Sequence, residues 1–388
     1  MNPEIYLDNA ATTKPCEACV AAVQRALTQQ YYNPSSRYKP ALDVANEIAA
    51  GRAMLADLCG TKSNHVYFLA SGTDASNFAI SSYASKMKSG DKVLYTAVEH
   101  SCIRETCKSL AQKGILVEEI PVNSYGIVDE DKLTQQLDEH VKLICIMHVN
   151  NDLGSINPLS RITALRDRFA KAAAIHVDAV QGFLKVPFSF KNTQVQSYAI
   201  SAHKFYGPKG IAALIVNDNI SMPVYRYGGG QELGLVSGTE NTAGIFGLIA
   251  AVRSVRGLED YTERLYRLKI YFLDSLKENV PAVQVLGPPP TDRTLAAPHI
   301  INVSLTPLRS DVLINALAAE QIYCSSGSAC SSMKQKISRV LQAIGVRGQL
   351  AESAVRVSFA PYNSTEEVER TVKVIAQIYN QFAKYVRR

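Results

Sequence analysis

The sequence predicts an α/β protein with a mostly parallel sheet, followed by a smaller α+β region. Two observations carry this expectation. Short apolar runs alternate with amphipathic stretches from about residue 66 to residue 250, the pattern of successive βαβ units. The chemically useful polar residues fall just past the apolar runs, where such sheets collect ligands.

The elements follow in order. Tyr6-Leu7-Asp8-Asn9-Ala10-Ala11-Thr12-Thr13 is a short extended segment that ends in small polar residues. A helix is expected from near Pro15, with Val20, Val23 and Leu27 at helical spacing. A turn-rich loop, Tyr32-Asn33-Pro34-Ser35-Ser36, leads to a long amphipathic helix through Val44, Ile48, Leu55 and Leu58. The expected strands are Val66–Leu69, Lys92–Thr96, Leu143–His148, Ala174–Val177, Ser197–Ile200 and Ile211–Val216.

A helix of mixed charge around Leu258 to Leu276 opens the second region. Gly287-Pro288-Pro289-Pro290 is a stiff turn, Ile300–Val303 reads as a strand and Ser310–Glu320 as a helix. The last helix starts with a capping box of Ser364 and Glu367 and carries Val368, Val372, Ile375, Tyr379 and Phe382 as one apolar stripe. The implied division is a large unit of residues 15–257 and a small one formed by 1–14 with 258–388.

With 388 residues, 47% hydrophobic and 20% charged, the chain has the composition of an ordinary globular protein and exceeds the size of most single domains. The net charge of +6 is scattered, with no basic run interleaved with aromatics, which argues against nucleic acid. No apolar run reaches the length of a membrane span, and the N-terminus lacks the basic and apolar regions of a signal peptide. Eight cysteines in such a chain are expected to be reduced thiols, which places the protein in the cytoplasm. Cys16 and Cys19 form a CxxC, but without a second pair at ligand spacing no metal site is expected, and both fall on the first helix.

The most informative stretch is Ser201-Ala202-His203-Lys204-Phe205-Tyr206-Gly207-Pro208-Lys209-Gly210, between apolar runs. It reads as strand, tight polar turn, strand, with Lys204 displayed in the turn. A lone lysine there is most simply a surface residue. Upstream, however, Ile175-His176-Val177-Asp178-Ala179-Val180-Gln181 puts Asp178 at the end of an apolar strand. A lysine for an aldehyde and a carboxylate for a pyridinium nitrogen are what a pyridoxal phosphate site requires. Phe68-Leu69-Ala70-Ser71-Gly72-Thr73-Asp74 offers a strand, a Ser-Gly-Thr turn and a helix start, which suits a phosphate but is equally a capped βα turn. Arg356 alternates with apolar residues, and a buried arginine needs an anion: a substrate carboxylate or a structural partner. Cys330 lies on the small, polar segment Cys324-Ser325-Ser326-Gly327-Ser328-Ala329-Cys330-Ser331-Ser332, where exposure favours a reactive thiol.

HVDAVQ followed by SAHK-x-YGPKG, with LDNAATT before and SSGSAC after, resembles the cysteine desulfurases, a branch of the class V aminotransferase family. The resemblance runs from the LDNAATT segment to the last helix. It implies a pyridoxal 5'-phosphate-dependent transferase of fold type I that converts L-cysteine to L-alanine and carries the sulfur as a persulfide on Cys330. It implies phosphate contacts from Gly72, Thr73, Ser201 and His203, and a stacking role for His100 on the cofactor ring. Asp178 would face the ring nitrogen and Gln181 the ring oxygen; Asn151 would lie beside the ring, although spacing does not separate it from Asn150. Lys204 would bind the cofactor and move the substrate proton, and Arg356 would hold the substrate carboxylate. It further implies a homodimer in which Thr239 reaches the neighbouring site, and an acceptor protein for the sulfur, as in iron–sulfur cluster assembly.

The chain departs from the family where Leu233 and Val236 replace arginines. That departure leaves room for a selenocysteine lyase or another class V lyase or transaminase. A sulfur-carrier or scaffold subunit with impaired catalysis is the alternative of another class.

Overall fold

The computed structural model describes residues 3–327 and 338–386. In chain order, β1 (Ile5–Tyr6), α1 (Glu17–Thr28) and α2 (Lys39–Cys59) precede β2 (Val66–Leu69), α3 (Gly72–Ala84), β3 (Lys92–Thr96), α4 (Ser101–Ser109), β4 (Leu116–Ile120), α5 (Glu130–Gln136), β5 (Val141–Met147), α6 (Leu159–Phe169), β6 (Ala174–Asp178), α7 (Phe190–Thr193), β7 (Ser197–Ser201) and β8 (Ala212–Val216). Strands β2 to β8 form one seven-stranded sheet in the order β2-β8-β7-β6-β5-β3-β4. β3 to β7 pair in parallel, and β8 is antiparallel to both its neighbours. The sequence explains this arrangement: Val141–Met147 and Ala212–Val216 are almost continuously apolar and buried, as strands covered on both faces must be.

The edge strand β4 is absent from the sequence-based list. It reads Leu-Val-Glu-Glu-Ile, with Leu116 exposed, and so lacks the apolar run of its neighbours. α1 also differs from expectation. Val20 and Leu27 are exposed, while Cys19, Ala22 and Ala26 form the buried face against α8 (Thr242–Arg256). Small residues win that face because the two helices approach closely: a Cβ on Gly247 would come within 2.8 Å of Val23 Cγ2. Cys16 and Cys19 are both buried free thiols.

After α9 (Tyr261–Asn279), strands β9 (Gln284–Leu286), β10 (Ile300–Ser304) and β12 (Ala354–Ser358) make an antiparallel sheet in the order β12-β10-β9. Helix α10 (Ser310–Ala319) leads to β11 (Ile322–Tyr323), and α11 (Arg339–Ala343) and α12 (Gly348–Glu352) precede β12. α13 (Thr365–Val386) closes the chain with the expected capping box: Glu367 N donates to Ser364 Oγ at 3.2 Å and Ser364 N to Glu367 Oε2 at 3.2 Å. β1 pairs in parallel with β11, and Asp8 bridges Ser358. The N-terminal segment is therefore stitched to the C-terminal elements while its next residues reach the main sheet: Thr13 N donates to His203 O over 2.8 Å. No helix among the described residues is long and apolar enough to cross a membrane.

Candidate active site

Beyond the carboxyl ends of the parallel strands lies a cavity of about 540 Å³. Gly72, Thr73, His100, Asn151, Asp178, Gln181, Ser201, His203, Lys204 and Arg356 all line it. Residues separated by up to 284 positions thus meet because β5, β6 and β7 end side by side and the N-terminal segment crosses above them.

Lys204 ends the short 3-10 turn Ala202–Lys204 that follows β7. Its Nζ donates to the carbonyl oxygens of Ala10 and Ala11, each at 2.7 Å. Asp178 is the last residue of β6, and its Oδ1 accepts from Val180 N at 3.0 Å. Burial pushes the Asp178 carboxyl up from its ordinary range, while His100, the Val180 N–H and Lys204 pull it back. Behind it, Glu99 is buried with one carboxylate oxygen accepting from Met147 N and Thr96 Oγ1 and the other without a partner among the described residues. Burial, and then the charge of Asp178, push Glu99 well above the carboxylate range. Two buried carboxyl groups in this relation are relieved by a cation at Asp178, which is what a protonated pyridine provides.

The opposite wall is the N-terminus of α3. Ser71 Oγ accepts from Asp74 N at 3.1 Å, and Asp74 Oδ2 accepts from Ala70 N at 3.2 Å, so both side chains cap the helix. A Cβ at Gly72 would lie 2.9 Å from Val180 Cγ2 and 3.4 Å from Ser201 Cβ. This close, backbone-lined end suits a phosphate group. His203 is held neutral: burial, and then Lys204 and Lys209, lower it to about 4, and its Nδ1 lies 3.1 Å from Thr12 Oγ1. The amine, the carboxyl and the helix end therefore match the aldehyde, ring nitrogen and phosphate of pyridoxal phosphate.

Asn150 is wholly buried, its Oδ1 accepting from Asp152 N and Leu153 N at 2.9 Å each. Asn151 lines the cavity and donates to Asp152 Oδ1 at 2.9 Å. His100 caps α4, its Nδ1 accepting from Cys102 N at 3.3 Å. Gln181 donates to Ala10 O at 2.8 Å, and its Oε1 lies 3.1 Å from His299 Nε2. Burial keeps His299 neutral, so Nε2–H is the donor.

Arg356 has the structural partners that the sequence left open. It donates to Asp8 Oδ1 at 2.7 Å, Asn151 O at 3.0 Å and Asp152 Oδ1 at 3.4 Å, and its Nε has no partner among the described residues. Thr239 is exposed and does not line the cavity of its own chain. Cys330 lies outside the described residues. Cys324 is packed against the main core, and burial pushes its thiol up to about 12.

At the positions where arginines were expected, Leu233 is exposed and Val236 is buried in an apolar cluster with Tyr67 and Phe78. Glu232, just before Leu233, turns inward to Arg52, with oxygens at 2.8 and 3.0 Å from the guanidinium. Sequence reasoning missed Asp8, Asp152, Lys185 and His299. Only Lys185 left a signal, as a lone charge in the apolar run Phe183-Leu184-Lys185-Val186-Pro187-Phe188.

Comparisons with known proteins point to one family. A cysteine desulfurase IscS of Dictyoglomus turgidum is 33% identical over 380 residues, covering 97% of this chain and 95% of the relative. One from Methanosarcina thermophila is 32% identical over 381 residues, covering 97% of this chain and 92% of the relative. A solved structure described as a NIFS-like protein superposes with a TM-score of 0.89 at 30% identity, covering 98% of this chain and 100% of the other. The structure described as SspA in complex with cysteine gives 0.80 at 27% identity, covering 93% of this chain and 100% of the other. The family model described as aminotransferase class-V matches residues 5–371, and a match of that extent on top of the shared fold means that this chain belongs to the class V aminotransferase family.

Proposed function

We propose that this protein is a cysteine desulfurase that releases L-alanine from L-cysteine and passes the sulfur on as a persulfide, with pyridoxal 5'-phosphate held in the main cavity. The observation that carries the reading is the convergence of Lys204, Asp178 and the α3 N-terminus on one cavity, in a chain whose relatives bear that name. Gly72, Thr73, Ser201 and His203 would hold the phosphate. Asp178 would pair with the ring nitrogen and Gln181 with the ring oxygen, and His100 and Asn151 would contact the ring. When bound, the cofactor supplies an electron sink for charge that develops at the substrate Cα.

The chain's own residues do the rest. Arg356, which lines the cavity, receives the substrate carboxylate. Lys204 takes the proton from the substrate Cα and later returns it. The Cys330 thiolate attacks the substrate sulfur. The new S–S bond forms as the C–S bond breaks, and the carbon side takes a proton to become alanine.

Thr239, exposed on its own chain, reaches the phosphate of a second copy in a homodimer. An acceptor protein in the cytoplasm takes the persulfide sulfur for iron–sulfur clusters or another sulfur-transfer route. The competing reading, a selenocysteine lyase, is motivated by Leu233 and Val236 standing where the resemblance implies arginines.

The test is alanine and sulfide release from L-cysteine, with and without reductant, on protein of known cofactor content. Lys204→Ala is expected to lower alanine release by about a thousandfold. Unchanged alanine release by Cys330→Ala would reject the persulfide role of that thiol. Faster turnover of selenocysteine, independent of Cys330, would favour the lyase. Protein that takes up no cofactor would favour a scaffold.

A further inference from the structure

The smaller sheet reaches the main cavity through one glutamine. Gln181 lines the cavity while almost fully buried, and its amide is caught between two groups. Its Nε2 donates to Ala10 O at 2.8 Å, and its Oε1 lies 3.1 Å from Nε2 of His299. Ala10 O is a carbonyl and can only accept, so the amide atom facing it is the nitrogen. The amide oxygen then faces His299, and a hydrogen bond there requires the imidazole proton on Nε2. Burial, and then the cations Lys185, Lys269, Arg356 and Lys204, keep the imidazole neutral, so it carries one ring proton. His299 is 1% exposed, and its Nδ1 has no partner among the described residues. A buried N–H without a partner is rarer than a buried lone pair, which again puts the proton on Nε2.

Both neighbours of the amide are fixed by one edge of the β12-β10-β9 sheet. His299 precedes Ile300, the first residue of β10, and its carbonyl accepts from Phe359 N at 2.9 Å. Ile300 pairs with Ser358 of β12, and the Ser358 hydroxyl accepts from Ala10 N at 2.8 Å. The sheet therefore holds the imidazole directly and the Ala10 peptide through Ser358. Ala10 O also accepts from Lys204 Nζ at 2.7 Å, so the Gln181 amide and the Lys204 amine share one anchor. Among the described residues only one of the two Gln181 N–H groups has an acceptor, which leaves the other for a group in the cavity.

We propose that His299 is a positioning residue for Gln181: its Nε2–H holds the amide oxygen, so that the glutamine turns an N–H, and not its oxygen, toward an anionic ring oxygen in the cavity. The inference rests on the reading of this cavity as the pyridoxal phosphate site. A reversed amide would set its oxygen against Ala10 O and push the imidazole proton onto the partnerless Nδ1. Without the imidazole, the amide oxygen becomes a buried acceptor with no donor, a cost that turning it into the cavity relieves.

The experiment has one arm without cofactor and one with it. In cofactor-free protein carrying isotope-labelled histidine, a long-range proton–nitrogen correlation spectrum shows which ring nitrogen is protonated, and the His299 signals are those missing from His299→Gln. The expected result is a proton on Nε2; a proton on Nδ1 overturns the proposal. In the second arm, equilibrium titration is expected to show about fivefold weaker pyridoxal phosphate binding by His299→Leu. The pH at which the bound cofactor changes colour is expected to rise in that variant, because a donor at the ring oxygen favours its anionic form. His299→Gln, which keeps an N–H at a similar reach, is expected to restore both. Unchanged affinity and an unchanged colour midpoint in His299→Leu of wild-type melting temperature would overturn the proposal. If His299→Leu does not fold, the wild-type nitrogen spectrum decides. Wild-type protein that binds no pyridoxal phosphate would defeat the reading of the cavity, whereas the assignment of the ring proton stands or falls on the first arm alone.

Discussion

The guanidinium of Arg356 donates to Asp8 Oδ1 over 2.7 Å, joining residues 348 positions apart. Asp152, almost fully buried, flanks the same group. Removing the arginine leaves two carboxylates facing each other in the interior. Arg356→Met is therefore expected to destabilise the fold by ~3–5 kcal/mol in denaturant titrations. Arg356→Lys keeps the charge but loses the planar fork, and its KM for L-cysteine is expected to rise at least about tenfold.

Gly72→Ala places a methyl group against Val180 and Ser201 at the phosphate end of the cavity. Overpacking of this kind costs ~1–3 kcal/mol. The expected outcome is a lower melting temperature together with weaker pyridoxal phosphate binding, measured by equilibrium titration. Gly90→Ala, at a left-handed glycine with open space around it, serves as the control for backbone strain alone.

Glu232 is held by Arg52 and also accepts from Phe68 N at 2.8 Å. The pair joins α2, the first strand of the main sheet and the segment that carries Leu233 and Val236 in one buried contact. Glu232→Ala strands the Arg52 charge and is expected to cost ~3–5 kcal/mol. The double variant Arg52→Met, Glu232→Ala is expected to recover most of that loss, because no buried charge is then left unpaired.

His148 is buried beside Tyr198, and burial lowers it from the ordinary 6.5 to about 4. The unfolded chain takes up a proton near pH 6.5, whereas the folded chain resists until about pH 4. Stability is therefore full above pH 6.5 and falls as the pH drops through that window, by ~3 kcal/mol for this residue. His203, lowered to about 4, has the same sign. Melting temperatures between pH 7 and 4.5 check this, with His148→Gln giving the shallower slope.

Much of this protein was legible in its sequence because the relevant signals are local. Apolar runs bounded by polar turns located the parallel strands, and the capping box of α13 needed only Ser364 and Glu367. Lys204 and Asp178 stood out because each follows an apolar run at the end where an α/β sheet gathers ligands. The edge strand β4 did not stand out, because one side of it meets water. The buried face of α1 was misread, because a close helix contact selects small residues over the bulkier ones on the other side.

The sequence by itself determined the alternating architecture, the strand ends and the residue types available at them. Only the tertiary structure decided which partners those residues meet. It placed Asp8 and Asp152 on Arg356, the carbonyls of Ala10 and Ala11 on Lys204, and the amine of Lys185 on the main-chain carbonyl of Lys204. Those contacts depend on the N-terminal segment lying between two sheets and on a strained turn at Leu184, where φ is 63°, and no local pattern encodes a hydrogen bond between elements that meet only after the chain has folded.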